Sequence, residues 1–370
     1  IRRPPRSTRK ESSAASDVYK RQIGYSAVGA GVLTGNNNVV IGKLAGNDMT
    51  SAAGNVLIGE DAGANITSGD ANVIIGQGAG EALTTPSRSI FIGVNAGNDH
   101  DTENDNLGLG HDALTASIAG GEFKVAVGNY ALDALTSADN NTAVGYNAGT
   151  GMTSGNGGNV FMGTEAGAAI TTAHHQVIIG NNAASTGVGT NRGLVAIGRS
   201  AGNAKTSGDN CVFIGLDAGA SVTSGADSIF IGATAGDGHD TEGNNLGIGR
   251  AALGGDIAGG EFNVAVGNYA LDALTTGDRN TAVGYQAGSG LTTAVDCAFF
   301  GRFAGVSVTT GTHNTFLGGD AGSSVTTGNR NTMVGVAGWQ FDTEGDNICL
   351  LYTSDAADDS LRVDLGGRRI

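Results

Sequence analysis

A chain of 370 residues carries 65 glycines, 20 Lys and Arg against 35 Asp and Glu, and a formal charge of −15. That field repels a phosphate backbone, so no nucleic-acid partner is expected. No apolar run reaches the roughly 20 residues of a membrane span, and the cysteines show no CxxC or Cys/His metal spacing.

The two ends differ in composition from the middle and are related to each other. "DVYKRQ" (Asp17 to Gln22), back-translated as GAT GTG TAT AAG AGA CAG, gives "CLLYTS" (Cys349 to Ser354) when its reverse complement is read from the second base. "IRRPPRS" (Ile1 to Ser7) reverses into "VDLGGRRI" (Val363 to Ile370) in the same frame. Residues 1–22 and 349–370 therefore resemble translated adapters of transposon-based sequencing libraries, and are expected to be artefactual and disordered. The expected native part is an open metagenomic fragment, 23–348, with ten basic and 29 acidic side chains and a formal charge of 10 − 29 = −19.

Within 23–348 the punctuation is glycine. Aligning the glycine that follows each branched apolar residue gives Gly24, Gly42, Gly59, Gly76 and onward to Gly318 and Gly335, nineteen marks spaced by 17 or 18. Counted from that glycine, position −1 is apolar in every copy and position +3 is Ala in all but the last. Asn recurs at −4 (Asn38, Asn55, Asn72, Asn141, Asn280, Asn314, Asn331), an apolar residue at +7, and Thr at +8 (Thr50, Thr67, Thr84, Thr292). Positions −3 and −1, such as Val73 and Ile75, are β-branched and alternate at period two, which predicts a strand buried on one face. "TSGD" and "TTGN" segments close the copies with turn chemistry.

At roughly 3.3 Å per residue, one copy has room for two short strands and two turns. Ordering it costs about 1 to 2 kcal/mol per residue, while three buried apolar side chains return only about 1.5 to 3 kcal/mol each. Stacking must supply the rest. The expected fold is all-β: a parallel β-solenoid, a flattened two-sided β-roll of about 19 coils of 17–18 residues.

A slower period overlies the first. "HDTENDNLGLG" (His100 to Gly110) returns eight coils later as "HDTEGNNLGIG" (His239 to Gly249), and "GEFKVAVGNYALDALT" (Gly121 to Thr136) as "GEFNVAVGNYALDALT" (Gly260 to Thr275). A third copy begins at "FDTEGDN", Phe341 to Asn347.

If positions −3 and −1 face the interior, position −2 faces out. Phe91, Phe161, Phe213, Phe230, Phe299 and Phe316 stand there. A ladder of large apolar groups along a rod exceeds what monomers expose, so these six are the expected oligomer interface.

The repeats "NTAVGY", "NVIIG" and "NTFLG" resemble the head repeats of trimeric autotransporter adhesins (YadA-like heads). The longer form ending in "TTG" is similar to repeats of bacteriophage tail-fibre proteins. The likeness spans essentially all of Ile23 to Ile348. It implies a left-handed roll, a homotrimer, and a role in attachment outside the cell, on a virion tail or a bacterial surface. The receptor would be a surface glycan or an outer-membrane protein.

Residues for chemistry are sparse, and no catalysis and no cofactor are expected. Glycine-rich stretches such as "GQGAG" (Gly76 to Gly80) lack a following GKS or GKT and read as coil turns. His174 and His175 stand alone, so no triad is supported. The "HDTE" turns offer hard oxygen ligands, and Asp101, Glu103, Asp105, Asp240 and Glu242 are the candidates for calcium; the plain alternative is a solvated turn. The Thr pairs suggest an ice-binding solenoid, but adjacent residues of a strand point to opposite faces. A polysaccharide-degrading tailspike would need paired carboxylates about 5 to 9.5 Å apart.

Overall fold

The computed structural model describes residues 21–29, 33–116, 120–187, 189, 192–256, 258–336 and 347–350. It is a parallel β-solenoid of about 18 turns, with no helix among the described residues. That matches the coil count, because nineteen marker glycines bound eighteen intervals.

Each coil contributes one three-residue strand, and 20 of these form a single parallel sheet. The register is one coil per step: Val56 lies beside Val73, Leu57 beside Ile74 and Ile58 beside Ile75. The same pairing runs on to Thr332–Val334. Among the described residues a second strand per coil is found only at Ser154–Gly157 and Thr172–His174, which pair with each other.

Elsewhere side chains replace the second strand. The Asn55 amide NH2 donates to Gly69 O at 2.8 Å in the next coil, and Asn55 Oδ1 accepts from the backbone and side chain of Asn72 at 2.9 and 3.0 Å. The threonines add a parallel ladder. Thr50 Oγ1 donates to Thr67 O at 3.0 Å, and Thr67 Oγ1 to Thr84 O at 3.1 Å. Buried polar groups must find partners, and the asparagines find theirs mostly in the adjacent coils, while the more exposed threonine hydroxyls add the parallel ladder. The hydroxyls that suggested an ice-binding face serve this ladder.

The marker glycine is obligatory on two counts. Gly59 has φ +139°, and a Cβ there would stand 2.3 Å from the carbonyl oxygen of Gly76. No L side chain fits a backbone that close.

Inside and outside are reversed relative to the sequence reading. The middle strand residue is the buried one: Val40, Leu57, Ile74 and all six phenylalanines, Phe91, Phe161, Phe213, Phe230, Phe299 and Phe316, are fully buried within one chain. Phe213 stacks on Phe230 at 5.6 Å and Phe299 on Phe316 at 5.1 Å. They share the interior with the +3 alanines and with a column at +7 that includes Met49, Ile66, Leu83 and Val222. The six are a core column and cannot be a contact surface between chains. Period two fixes which residues share a face; it cannot say which face is inside when both are apolar.

At the two ends of the sheet, Arg21–Ile23 pairs with Val39–Ile41 and Ile348–Leu350 with Thr332–Val334. Arg21, Gln22, Cys349 and Leu350, assigned by sequence to the disordered flanks, are thus strand residues. An open sheet edge pairs with any extended chain that reaches it. The remaining flank residues, 1–20 and 351–370, and most of the third "DTE" copy lie outside the described residues.

Candidate functional site

The "HDTE" turns are built around a buried glutamate. Glu103 Oε2 accepts from the amides of Asp101 and Thr102, both at 3.1 Å, and Oε1 from Gly120 N at 3.1 Å. Glu242 repeats this with Asp240, Thr241 and Gly259, and adds the Thr241 hydroxyl. Burial raises the Glu242 pKa, but hydrogen bonds from the backbone of Asp240, Glu242 and Thr241 outweigh it and hold the carboxylate below its usual range.

The other calcium candidates point elsewhere. Asp101 Oδ1 accepts the Thr84 hydroxyl at 2.5 Å, and Asp240 accepts the Thr223 hydroxyl. Asp105 is clasped by Arg88 Nε and Nη2 at 2.6 and 2.7 Å. Among the described residues no group of three or more His, Cys, Asp or Glu is placed to hold a metal. The carboxylates are spent on backbone amides, hydroxyls and a guanidinium, so these turns have the geometry of loop caps.

The histidines of these turns are core residues. His100 and His239 occupy the +7 column, fully buried, with the rings 5.1 Å from Phe91 and 4.7 Å from Phe230. No ring nitrogen of either residue meets hydrogen-bond geometry, and the backbones of Leu114 and Leu253 offer only a weak interaction that raises the pKa slightly against burial. Burial, with the Lys124 charge adding to it, pushes His100 down to about 3; burial pushes His239 down to about 4. The sequence signal is present, since +7 is an apolar column.

Gly198-Arg199-Ser200-Ala201-Gly202 spells GxSxG, against the expectation that no nucleophile elbow of that type is present. Ser200 is a turn residue with φ 55°, its amide donating to Asn181 O at 3.0 Å. The same coil position is left-handed at Asp61, Asn147 and Asp217. His174 Nδ1 accepts from Asn156 N at 3.1 Å in its own turn ladder.

What the rod presents outward is the other face of the sheet. Positions −3 and −1 carry Val, Ile, Leu, Met, Phe, Ala and Thr from Val39–Ile41 to Thr332–Val334, with no charged residue in either column. They are half-buried by their neighbours above and below, and several are more open, including Leu109, Met162 and Leu317 at 40%, 43% and 49% exposure. The flanking turns are charged. Lys43–Glu60, Arg199–Asp217 and Arg302–Asp320 each bridge adjacent coils.

Comparison of the chain with protein-family models and with curated proteins returns no match.

Proposed function

We propose that this chain is a non-catalytic fibrous protein, the shaft or receptor-binding region of an attachment fibre such as a phage tail fibre or a surface adhesin. It works outside the cell as a homotrimer. The observation that carries this reading is the uncharged apolar face of the sheet. At about 4.8 Å per coil and about 10 Å of width, it extends for roughly 90 Å and covers roughly 900 Å². That is the size of one side of a stable protein interface and more than a monomer leaves bare.

A uniform ladder of Val and Ile at one-coil spacing is best matched by another surface of the same period, which is a second copy. Rotational symmetry then closes the contact without leaving an open end. The likeness of the "NTAVGY" repeats to YadA-like heads and tail-fibre repeats supports three chains and a role in attachment. The test is sedimentation of the 23–348 fragment with Ile75, Ile179 and Ile231 changed together to Lys. A trimer that becomes a monomer with its β-type circular dichroism retained is the expected result. A stable, non-aggregating monomer before any substitution would overturn the proposal.

A further inference from the structure

Two cysteines stand in the asparagine column at −4, Cys211 and Cys297, and both are buried. Each thiol donates to a carbonyl of the next coil, Cys211 Sγ to Gly225 O at 3.3 Å and Cys297 Sγ to Gly311 O at 3.2 Å. The sites differ six residues upstream, in the +7 column. Leu291 precedes Cys297, and Lys205 precedes Cys211.

Lys205 is fully buried in a column otherwise filled by residues such as Leu83, Val222 and Leu274. Its Nζ donates to the same Gly225 carbonyl that accepts from the Cys211 thiol. An amine and a thiol that share one acceptor oxygen are neighbours across it. Gly208 provides the space, since a Cβ there would stand 2.9 Å from Lys205 Nζ. Burial holds the lysine below its usual pKa range, with the Cys211 thiol acting against it.

We propose that Lys205 and Cys211 form a covalent Nζ–O–Sγ bridge when the protein meets dioxygen. One atom of dioxygen is inserted between nitrogen and sulfur. The other leaves as water with one hydrogen from the amine and one from the thiol, and the nitrogen keeps its remaining hydrogen. Nitrogen and sulfur are together oxidised, and dioxygen is reduced. The product removes an ionisable amine from an apolar interior, where an ammonium is costly. Two equivalents of a dithiol reductant, supplying four electrons and four protons, return the amine and the thiol and release the bridging oxygen as water. Cys297, with leucine at the corresponding place, is the built-in control.

The full chain, purified under reductant without air and then exposed to air, is examined by intact mass and peptide mapping. The expected result is a gain of about 14 Da, one oxygen added and two hydrogens lost, reversed by dithiothreitol. It maps to a linked Lys205 and Cys211, with tryptic cleavage at Lys205 blocked and Cys297 still open to alkylation after denaturation. Cys297→Ser should keep the mass shift, and Cys211→Ser and Lys205→Arg should lose it. A free Cys211 after exposure, a Cys211 carried to sulfinic or sulfonic acid with Lys205 unmodified, or the same shift at Cys297 would overturn the proposal on the unsubstituted protein alone.

Discussion

The blocks beginning at His100 and His239 are near copies eight coils apart, and one substitution separates their interiors: Lys124 in the first stands where Asn263 stands in the second. Asn263 is a complete relay. Its backbone NH donates to Asn245 Oδ1 at 2.9 Å, its amide NH2 to Gly277 O at 2.9 Å, and its Oδ1 accepts from Asn280 N at 2.9 Å. Lys124 keeps the first of these bonds, to Asn106 Oδ1 at 3.0 Å, but its Nζ turns back to Gly121 O at 2.6 Å in its own turn. A lysine has no acceptor to offer Asn141, so the ladder breaks for one step. Burial pushes Lys124 down to about 8. The −4 column is filled mostly by side chains that both donate and accept, and a coil survives a failure, as at Lys124 and Leu194, because its sheet and its apolar columns are untouched.

The largest effect should fall equally on the two blocks. Phe91→Ala and Phe230→Ala each remove a ring that supports a buried histidine, and each should cost about 3 to 5 kcal/mol, read as a shift in urea midpoint. A loss below about 1 kcal/mol in either variant would show that the ring is not packed as described.

Acid should come next. Both histidines are held neutral when folded, with pKa values below the ordinary ~6.5, so the unfolded chain takes up protons first. Their contribution is fully present above that value and is lost as pH falls toward about 4 at His239 and about 3 at His100. The loss should be on the order of a few kcal/mol per site. Replacing both with Leu, which fills the same column at position 83, should flatten the dependence of the melting temperature between pH 7 and 4. An unchanged acid profile in that variant would assign the loss to other groups.

The smallest effect concerns the one differing rung. Lys124→Asn should restore the relay and stabilise the chain by about 1 kcal/mol, and Asn263→Lys should cost about 1 to 3 kcal/mol in the second block. Because burial lowers the folded pKa of Lys124, its penalty is present at pH 7 and fades as the medium approaches pH ~10.4, where the unfolded lysine also loses its charge. Chemical denaturation of the pair at pH 7 and pH 10 checks this, and a gap that fails to narrow would mean that the lysine charge is not the cause.

Much of the fold is legible in the residues themselves. The glycine marks, the +3 alanines and the Asn and Thr columns each have a stacking reason that can be stated without coordinates, and the sheet register follows from the 17- and 18-residue spacing. The "HDTE" turns were harder to read. Four acidic or imidazole side chains within six residues resemble a ligand set, yet the chain directs His100 inward, Glu103 onto backbone amides and Asp105 onto Arg88. Sequence neighbours in a turn seldom converge on one point, because successive side chains leave the backbone in different directions.

What the sequence determined by itself is the repeat, and with it a stacked parallel architecture, since a spacing this regular in a glycine-rich chain has few other folded solutions. What only the tertiary structure decided is the sign of that pattern. Val73, Ile74 and Ile75 are all apolar, so period two allowed Ile74 to face either way. The choice rests on how the chain bends after Gly76, which carries Ala79 and Leu83 round to the same side as Ile74 and closes the interior over that middle residue. Phe213 and Phe299 follow it inward, leaving the two flanking columns to meet whatever lies outside the rod.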